Sequence, residues 1–264
     1  MGKIHEALKR AEEERARLAG VTPPSQRESS LEARLADRVA RPRRDATALG
    51  PLQAPLALRP SELDAAVLDQ YKLLRSRIQG VRRQRSIRSL VIASPSRGDG
   101  RTTTALELGR CYGGDREIET CVAELDLREP RLREALRGDV EVDVVDVLEG
   151  AAALHEALVP IEESRLFLLP ARRAASDPAT LIESLTLAQL VEALHQRFGF
   201  TIIDSPPLLD SLDGAELVSC CDAVLLAVRA SVTTVEDLDR AVERIDSGKL
   251  IGTLLTRAPR AGFD

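Results

Sequence analysis

The chain has 264 residues, 44% hydrophobic and 30% charged, with a net charge of −5, no Trp, 2 Tyr and 4 Phe. This composition excludes wholesale disorder and calls for an aliphatic core in one α/β domain of about 200 residues plus an appendage. So few aromatics argue against a base-stacking platform for single-stranded nucleic acid, and no apolar run nears the ~18–20 residues that span a bilayer.

Charge is unevenly spread. Residues 1–60 hold 12 Lys+Arg against 8 Asp+Glu, net +4, which leaves −9 on the remaining 204 residues. The first 20 residues are charged throughout and do not read as a signal peptide. Glu6 stands where a myristoylation motif wants Ser or Thr. Lys3 to Leu18 reads as one helix with Ile4, Leu8 and Ala11 along a narrow stripe, either solvated or docked on a partner. Residues 21–60, with Pro23-Pro24 and Arg41-Pro42-Arg43-Arg44, have the composition of a flexible linker.

From Ser61 the pattern becomes regular. Ser61 and Asp64 resemble a helix start, and the helix is expected to run to about Gln84. Apolar strands are predicted at 89–93, 120–126, 165–170, 200–204, 223–228 and 250–255. Helices are predicted from Thr102, over 178–198 and over 234–246. Alternation of apolar strands with amphipathic helices predicts an α/β fold: a mostly parallel sheet of the P-loop NTPase type, helices on both faces. The boundaries expected are an N-terminal helix over 1–20, a linker over 21–60, the domain over 61–258 and a short tail over 259–264. Cys111, Cys121, Cys220 and Cys221 have neither disulfide-framework nor zinc spacing and read as buried thiols in a reducing cytosol.

Ligands of such sheets bind at the carboxyl ends of the strands, where the unusual residues fall. The first predicted strand runs into Ser94-Pro95-Ser96-Arg97-Gly98-Asp99-Gly100-Arg101-Thr102-Thr103-Thr104. Glycines that free backbone N–H groups, followed by a helix start, make a phosphate cradle. Against the pattern G-x-x-x-x-G-K-[ST], the first Gly is Pro95 and the Lys is Arg101, so this stretch alone is also compatible with an ordinary strand-to-helix turn. Glu124 and Asp126 at the end of a second strand, and Asp204 at the end of a fourth, tip the reading to a Mg–nucleotide site.

With these motifs in order, residues 63–255 resemble the bacterial tyrosine kinases of capsule and exopolysaccharide synthesis (CpsD/CapB-like), a branch of the MinD/ParA-type P-loop ATPases. Asp69-Gln70-Tyr71-Lys72-Leu73-Leu74-Arg75 is similar to that family's ring-assembly helix, and Ser94 to Thr104 to its Walker A segment. Glu124 to Pro130 is similar to its second acidic motif. Leu168-Leu169-Pro170 with Asp177 to Ser184 matches a further stretch, and Ile202 to Pro207 with Asp213 matches its Walker B region. The resemblance implies ATP and Mg²⁺ as cofactors. It puts Thr102, Asp126 and Asp204 on the metal, and Gly98, Asp99, Gly100, Arg101, Thr102, Thr103 and Arg128 around the nucleotide. Arg101, Asp126, Glu124 and Asp204 would carry the chemistry, with Asp126, or Glu124 in its stead, as base. Asp69, Lys72 and Arg75 would serve oligomerisation, a homo-oligomer or ring. The implied setting is cytoplasmic, recruited to the inner face of the membrane by a membrane-embedded chain-length regulator, or co-polymerase, with no nucleic-acid partner.

The departures weaken the enzymatic reading. Arg101 delivers its charge as a bulky planar fork, Glu124 is one methylene longer than the family's Asp, and Thr256 stands where many relatives carry a base-contacting Asn. No Tyr follows Tyr112, so the self-phosphorylated tyrosine tail of the family is missing from this sequence. Tyr71 and Tyr112 read as packing residues. Three readings stay open: a kinase or ATPase of reduced phosphoryl transfer; a catalytically dead regulatory pseudokinase that controls assembly of the export machinery; and a MinD/ParA-like positioning ATPase, although Ser96 occupies the position of that group's signature Lys.

Overall fold

The structure is a computed structural model that describes residues 52–114, 118–182 and 185–258. The expected N-terminal helix, most of the linker and the tail from residue 259 lie outside the described residues, as do Glu183 and Ser184 of the family-like stretch. From Leu52 onward the predicted linker is part of the domain. Strand β1 (Ala57–Leu58) pairs antiparallel with β4 (Leu136–Arg137), and the Gln53 side chain bonds the backbone of Glu141 and Val142. Leu56 and Leu58 supply the apolar contact that fastens this stretch.

A seven-stranded sheet carries the domain. Its members are β2 (Ser89–Ala93), β3 (Thr120–Glu124), β5 (Val159–Pro160), β6 (Leu166–Leu169), β7 (Phe200–Asp204), β8 (Ala223–Arg229) and β9 (Leu250–Thr256). Their order is β5-β6-β3-β7-β2-β8-β9, parallel throughout except for the antiparallel edge strand β5. Strands β2, β3 and β7 are buried along their whole length, which is why their sequences are mostly apolar and lack a polar–apolar alternation.

Alternate residues feed two cores. Leu90, Ile92, Val122 and Ile202 face one side, packed with Ile78 of α1 (Ala65–Gln84) and with Ala105, Leu108 and Tyr112 of α2 (Arg101–Gly113). Val91, Cys121, Ala123 and Ile203 face the other. That side is covered by α3 (Val144–Leu148), α4 (Leu154–Ala157), α5 (Pro178–Ile182), α6 (Leu185–Arg197), α7 (Asp213–Cys220) and α8 (Val235–Val242). The single helix expected over 178–198 is thus two helices, α5 and α6. Helix α1 begins later than Ser61: Asp64 is its N-cap, accepting from the Val67 N–H at 3.0 Å. Cys121 and Cys221 are core residues whose burial pushes their thiols up, Cys221 to about 12, so both are inert at neutral pH. No helix among the described residues is long and apolar enough to cross a membrane.

Helix α2, whose start shapes the phosphate cradle, is held close to the sheet by two glycines. A Cβ on Gly109 would meet Val122 Cγ2 at 2.4 Å, and one on Gly113 would meet Ser164 Oγ at 2.4 Å. Gly109→Ala should therefore overpack the α2–β3 contact and cost about 1–3 kcal/mol. Urea unfolding should show this as a lower midpoint at unchanged slope.

Candidate functional site

The strand order places the ends of β3, β7, β2, β8 and β9 in one row, with the chain turning from β2 directly into the loop 94–100. Gly98 (φ +82°) and Gly100 (φ +93°) adopt the left-handed conformation that a side chain resists, and Gly100 is the residue that caps α2. The loop is braced from inside. Asp99, 2% exposed, accepts from the Ser96 N–H at 3.0 Å and from the Thr233 hydroxyl at 3.1 Å. Thr256 donates its hydroxyl to the Asp99 carbonyl at 2.8 Å and lies against Gly100. Asp99, expected on the nucleotide, is a loop brace. Thr256 grips the loop.

Arg101 is the first residue of α2 and only 8% exposed. Its guanidinium donates to Ser94 Oγ, to the Ser96 carbonyl at 3.0 Å and to Asp126 Oδ2 at 3.2 Å, while its Nε is buried without a partner among the described residues. The arginine fork spans the loop and ends on the acid of the neighbouring strand. Asp126 is raised above its ordinary range by burial, against the pull of Arg101 and of the Glu129 and Arg128 backbone amides.

The other two acids differ sharply. Glu124 is fully buried, with Oε1 accepting from the amides of Arg131 and Leu132 and Oε2 from the amide of Ala171 at 2.9 Å. Burial, with Asp204 beside it, pushes its carboxyl up to about 8 even so. Three backbone donors occupy it, so its geometry is that of a pin between segments and not of a free base. Asp204 is also fully buried, and neither oxygen has a partner at good hydrogen-bond geometry among the described residues. Burial lifts it to about 7, although the Thr102 hydroxyl and the Arg101 charge draw it down.

The remaining expected residues are placed as follows. Thr103 is exposed on the first turn of α2 and Thr102 is half-buried there. Arg128 donates from Nε to Asp213 Oδ2 at 2.8 Å, so it bridges to α7. Arg97 pairs outward with Glu129 and with Asp210 at 3.3 Å. On α1, Asp69 and Lys72 form an exposed pair at 2.8 Å, whereas Arg75 lies over the Tyr112 ring at 5.3 Å. Both tyrosines pack as expected: Tyr112 is buried against Phe200, and Tyr71 shares a 3.3 Å hydrogen bond with Thr104.

One cation escaped the sequence reading. Arg229 ends β8, and its Nη1 lies 3.7 Å from where a Cβ of Gly98 would be. No carboxylate among the described residues pairs with it. Its backbone N–H donates to Thr233 Oγ1 at 3.0 Å, the same hydroxyl that bonds Asp99, so one threonine couples this strand end to the loop. The available signal was an arginine closing an otherwise apolar run.

Few donors are left for a Mg²⁺. Asp126 is already neutralised by Arg101 and Glu124 is spent on amides, which leaves Thr102 and Asp204 beside a guanidinium. Among the described residues no group of three or more His, Cys, Asp or Glu is arranged to hold a metal ion. With Arg101 in place the residues do not fit a resident Mg²⁺.

No protein-family model matches the chain. It is similar to the tyrosine-protein kinase YwqD of Bacillus subtilis, 25% identical over 189 residues, covering 71% of this chain and 79% of that protein. The tyrosine-protein kinase CpsD of Streptococcus agalactiae is 22% identical over 192 residues, covering 72% and 82%. Among solved structures, the chimerical protein CapA2B2 matches with a TM-score of 0.69 at 21% identity, covering 80% of this chain and 96% of that one. The septum site-determining protein MinD of Pyrococcus horikoshii, complexed with Mg-ADP, matches with a TM-score of 0.53 at 21% identity, covering 66% and 72%.

The two raised carboxyls make stability depend on pH. In the unfolded chain such groups ionise near ~4, but in the folded chain near about 8 and about 7, so the folded state holds more protons in between. Their contribution therefore weakens as pH rises from about 4 to 8. Thermal unfolding should give a lower Tm at pH 8.5 than at pH 6. Asp204→Asn should reduce that difference and raise Tm at pH 8.5; an undiminished difference would show that Asp204 is not its source.

Proposed function

We propose that this chain, a CpsD-like P-loop protein in sequence and fold, binds nucleotide and acts as a regulatory relative of the polysaccharide tyrosine kinases, with phosphoryl transfer much reduced. The carrying observation is Arg101, whose fork is taken up by Ser94, Ser96 and Asp126. A cation that is to stabilise charge developing on a transferring phosphoryl group must be aimed at that group before reaction. Here it is aimed at the acid that would serve as base, and each group neutralises the other.

The glycine-bearing loop and the α2 start still offer backbone N–H groups to an anion. Nucleotide binding therefore survives the changes that remove turnover. The Mg-ADP complex of a MinD protein of the same fold supports this reading. Tyr71 and Tyr112 are both buried, so neither presents an acceptor hydroxyl for phosphorylation between copies.

In this role the chain works in capsule or exopolysaccharide synthesis at the inner face of the membrane. Its partner is a membrane-embedded chain-length regulator, and the exposed Asp69–Lys72 face of α1 is available for ring assembly. The positioning-ATPase reading is weaker, because Ser96 replaces the signature Lys and its carbonyl is held by Arg101.

ATP turnover and phosphotransfer by the native chain and by Arg101→Lys test the proposal. Misdirection of one donor typically costs ~10²–10³ in rate, so the native chain should be slower than the variant by about that factor. Equal and substantial turnover by both would overturn the reduced-activity reading.

A further inference from the structure

The glycine loop has a second arginine over it, and neither Arg229 nor the placement of Arg101 follows the usual plan of one Lys and one Mg²⁺ for neutralising phosphates. We propose that the site takes the phosphate chain of a nucleoside di- or triphosphate without a divalent metal, with Arg229 and the loop amides supplying the positive potential while Arg101 holds Asp126. The inference rests on the nucleotide-binding reading above and deepens it.

Three observations bear the argument. Arg101 occupies the inner side of the loop and keeps one buried donor, Nε, without a partner among the described residues. Arg229 reaches over Gly98 from the end of β8 with no carboxylate on it among the described residues, and the Thr233 bonds to Asp99 and to the Arg229 amide tie its backbone to the loop. Two of the three strand-end acids are committed elsewhere, Asp126 to Arg101 and Glu124 to three amides, and the third, Asp204, has the Arg101 charge acting on it.

A dication at Thr102 and Asp204 would stand beside the Arg101 guanidinium and repel it. A phosphate chain meets the opposite situation. The planar Arg229 fork matches its oxygens and adds to the amides of the loop, with Arg101 Nε as a further donor. Arg97 and Arg128 are cations too, but both are bonded to carboxylates, Arg97 to Glu129 and Asp210 and Arg128 to Asp213. Among the described residues, that leaves Arg229 as the cation at the loop without a carboxylate on it.

Calorimetric titration of the full chain with ADP, with ATP and with inorganic pyrophosphate, each in EDTA and in Mg²⁺, is the test. Affinity in EDTA should equal that in Mg²⁺ to within about threefold, and Arg229→Gln should weaken binding about tenfold in both. Arg101→Lys, which frees Asp126, should make binding Mg²⁺-dependent. Binding by the native chain only in Mg²⁺, or an Arg229→Gln affinity equal to the native one, would overturn the metal-free proposal and leave the nucleotide reading standing. Absence of binding under every condition, with thermal unfolding of the native chain confirming that it is folded, would overturn both.

Discussion

Parallel pairing of β2 and β3 on either side of β7 sets Ile92, Asp204 and Glu124 in one register row, and the chemistry of the site follows from that row. Two carboxyl groups are thereby fixed side by side in a region sealed from water. Charging both is costly at low dielectric, and the cost can be met only by local donors or by keeping a proton. The fold uses both answers. Glu124 is surrounded by backbone amides, Asp204 is raised to about 7 by burial with the Thr102 hydroxyl and the Arg101 charge pulling it down, and the next acid along, Asp126, is given a guanidinium. In this setting Arg101 is part of the internal charge balance of the strand ends. A lysine at that place is a point charge and could not span Ser94, Ser96 and Asp126 at once.

The sheet was legible because its central strands are buried on both faces and so are written as mostly apolar runs. Strand ends predicted from those runs agree with the structure to within a residue or two at β2, β7, β8 and β9. The two-residue strands β1, β4 and β5 and the short helices α3 and α4 carry no periodicity long enough to read, and tertiary contacts alone define them. The attachment of residues 52–60 escaped notice for a related reason. Proline-rich composition marks a segment without regular structure, but it does not say whether Leu56 and Leu58 find a surface to cover.

The site was legible as a set of positions and much less so as a set of roles. An acid at a strand end is equally suited to point into a cleft or to hold a neighbouring segment. For Glu124 the deciding amides come from Arg131, Leu132 and Ala171, the last of them 47 residues away along the chain. Asp99 is likewise claimed by Thr233, a residue 134 positions distant. The similarity to YwqD and CpsD spans 71% and 72% of this chain, while the hydrogen bonds that assign each side chain its work depend on contacts between distant parts of the chain.

The Thr233 and Thr256 hydroxyls that grip Asp99 have a consequence for how the loop meets any guest. A glycine-bearing loop left to itself samples many backbone states, and a ligand that selects one of them must offset the lost entropy. Here β8 and β9 have already imposed that order during folding. The loop is a preorganised receptor, and interaction energy at its amides goes into retention of the guest and not into shaping the receptor.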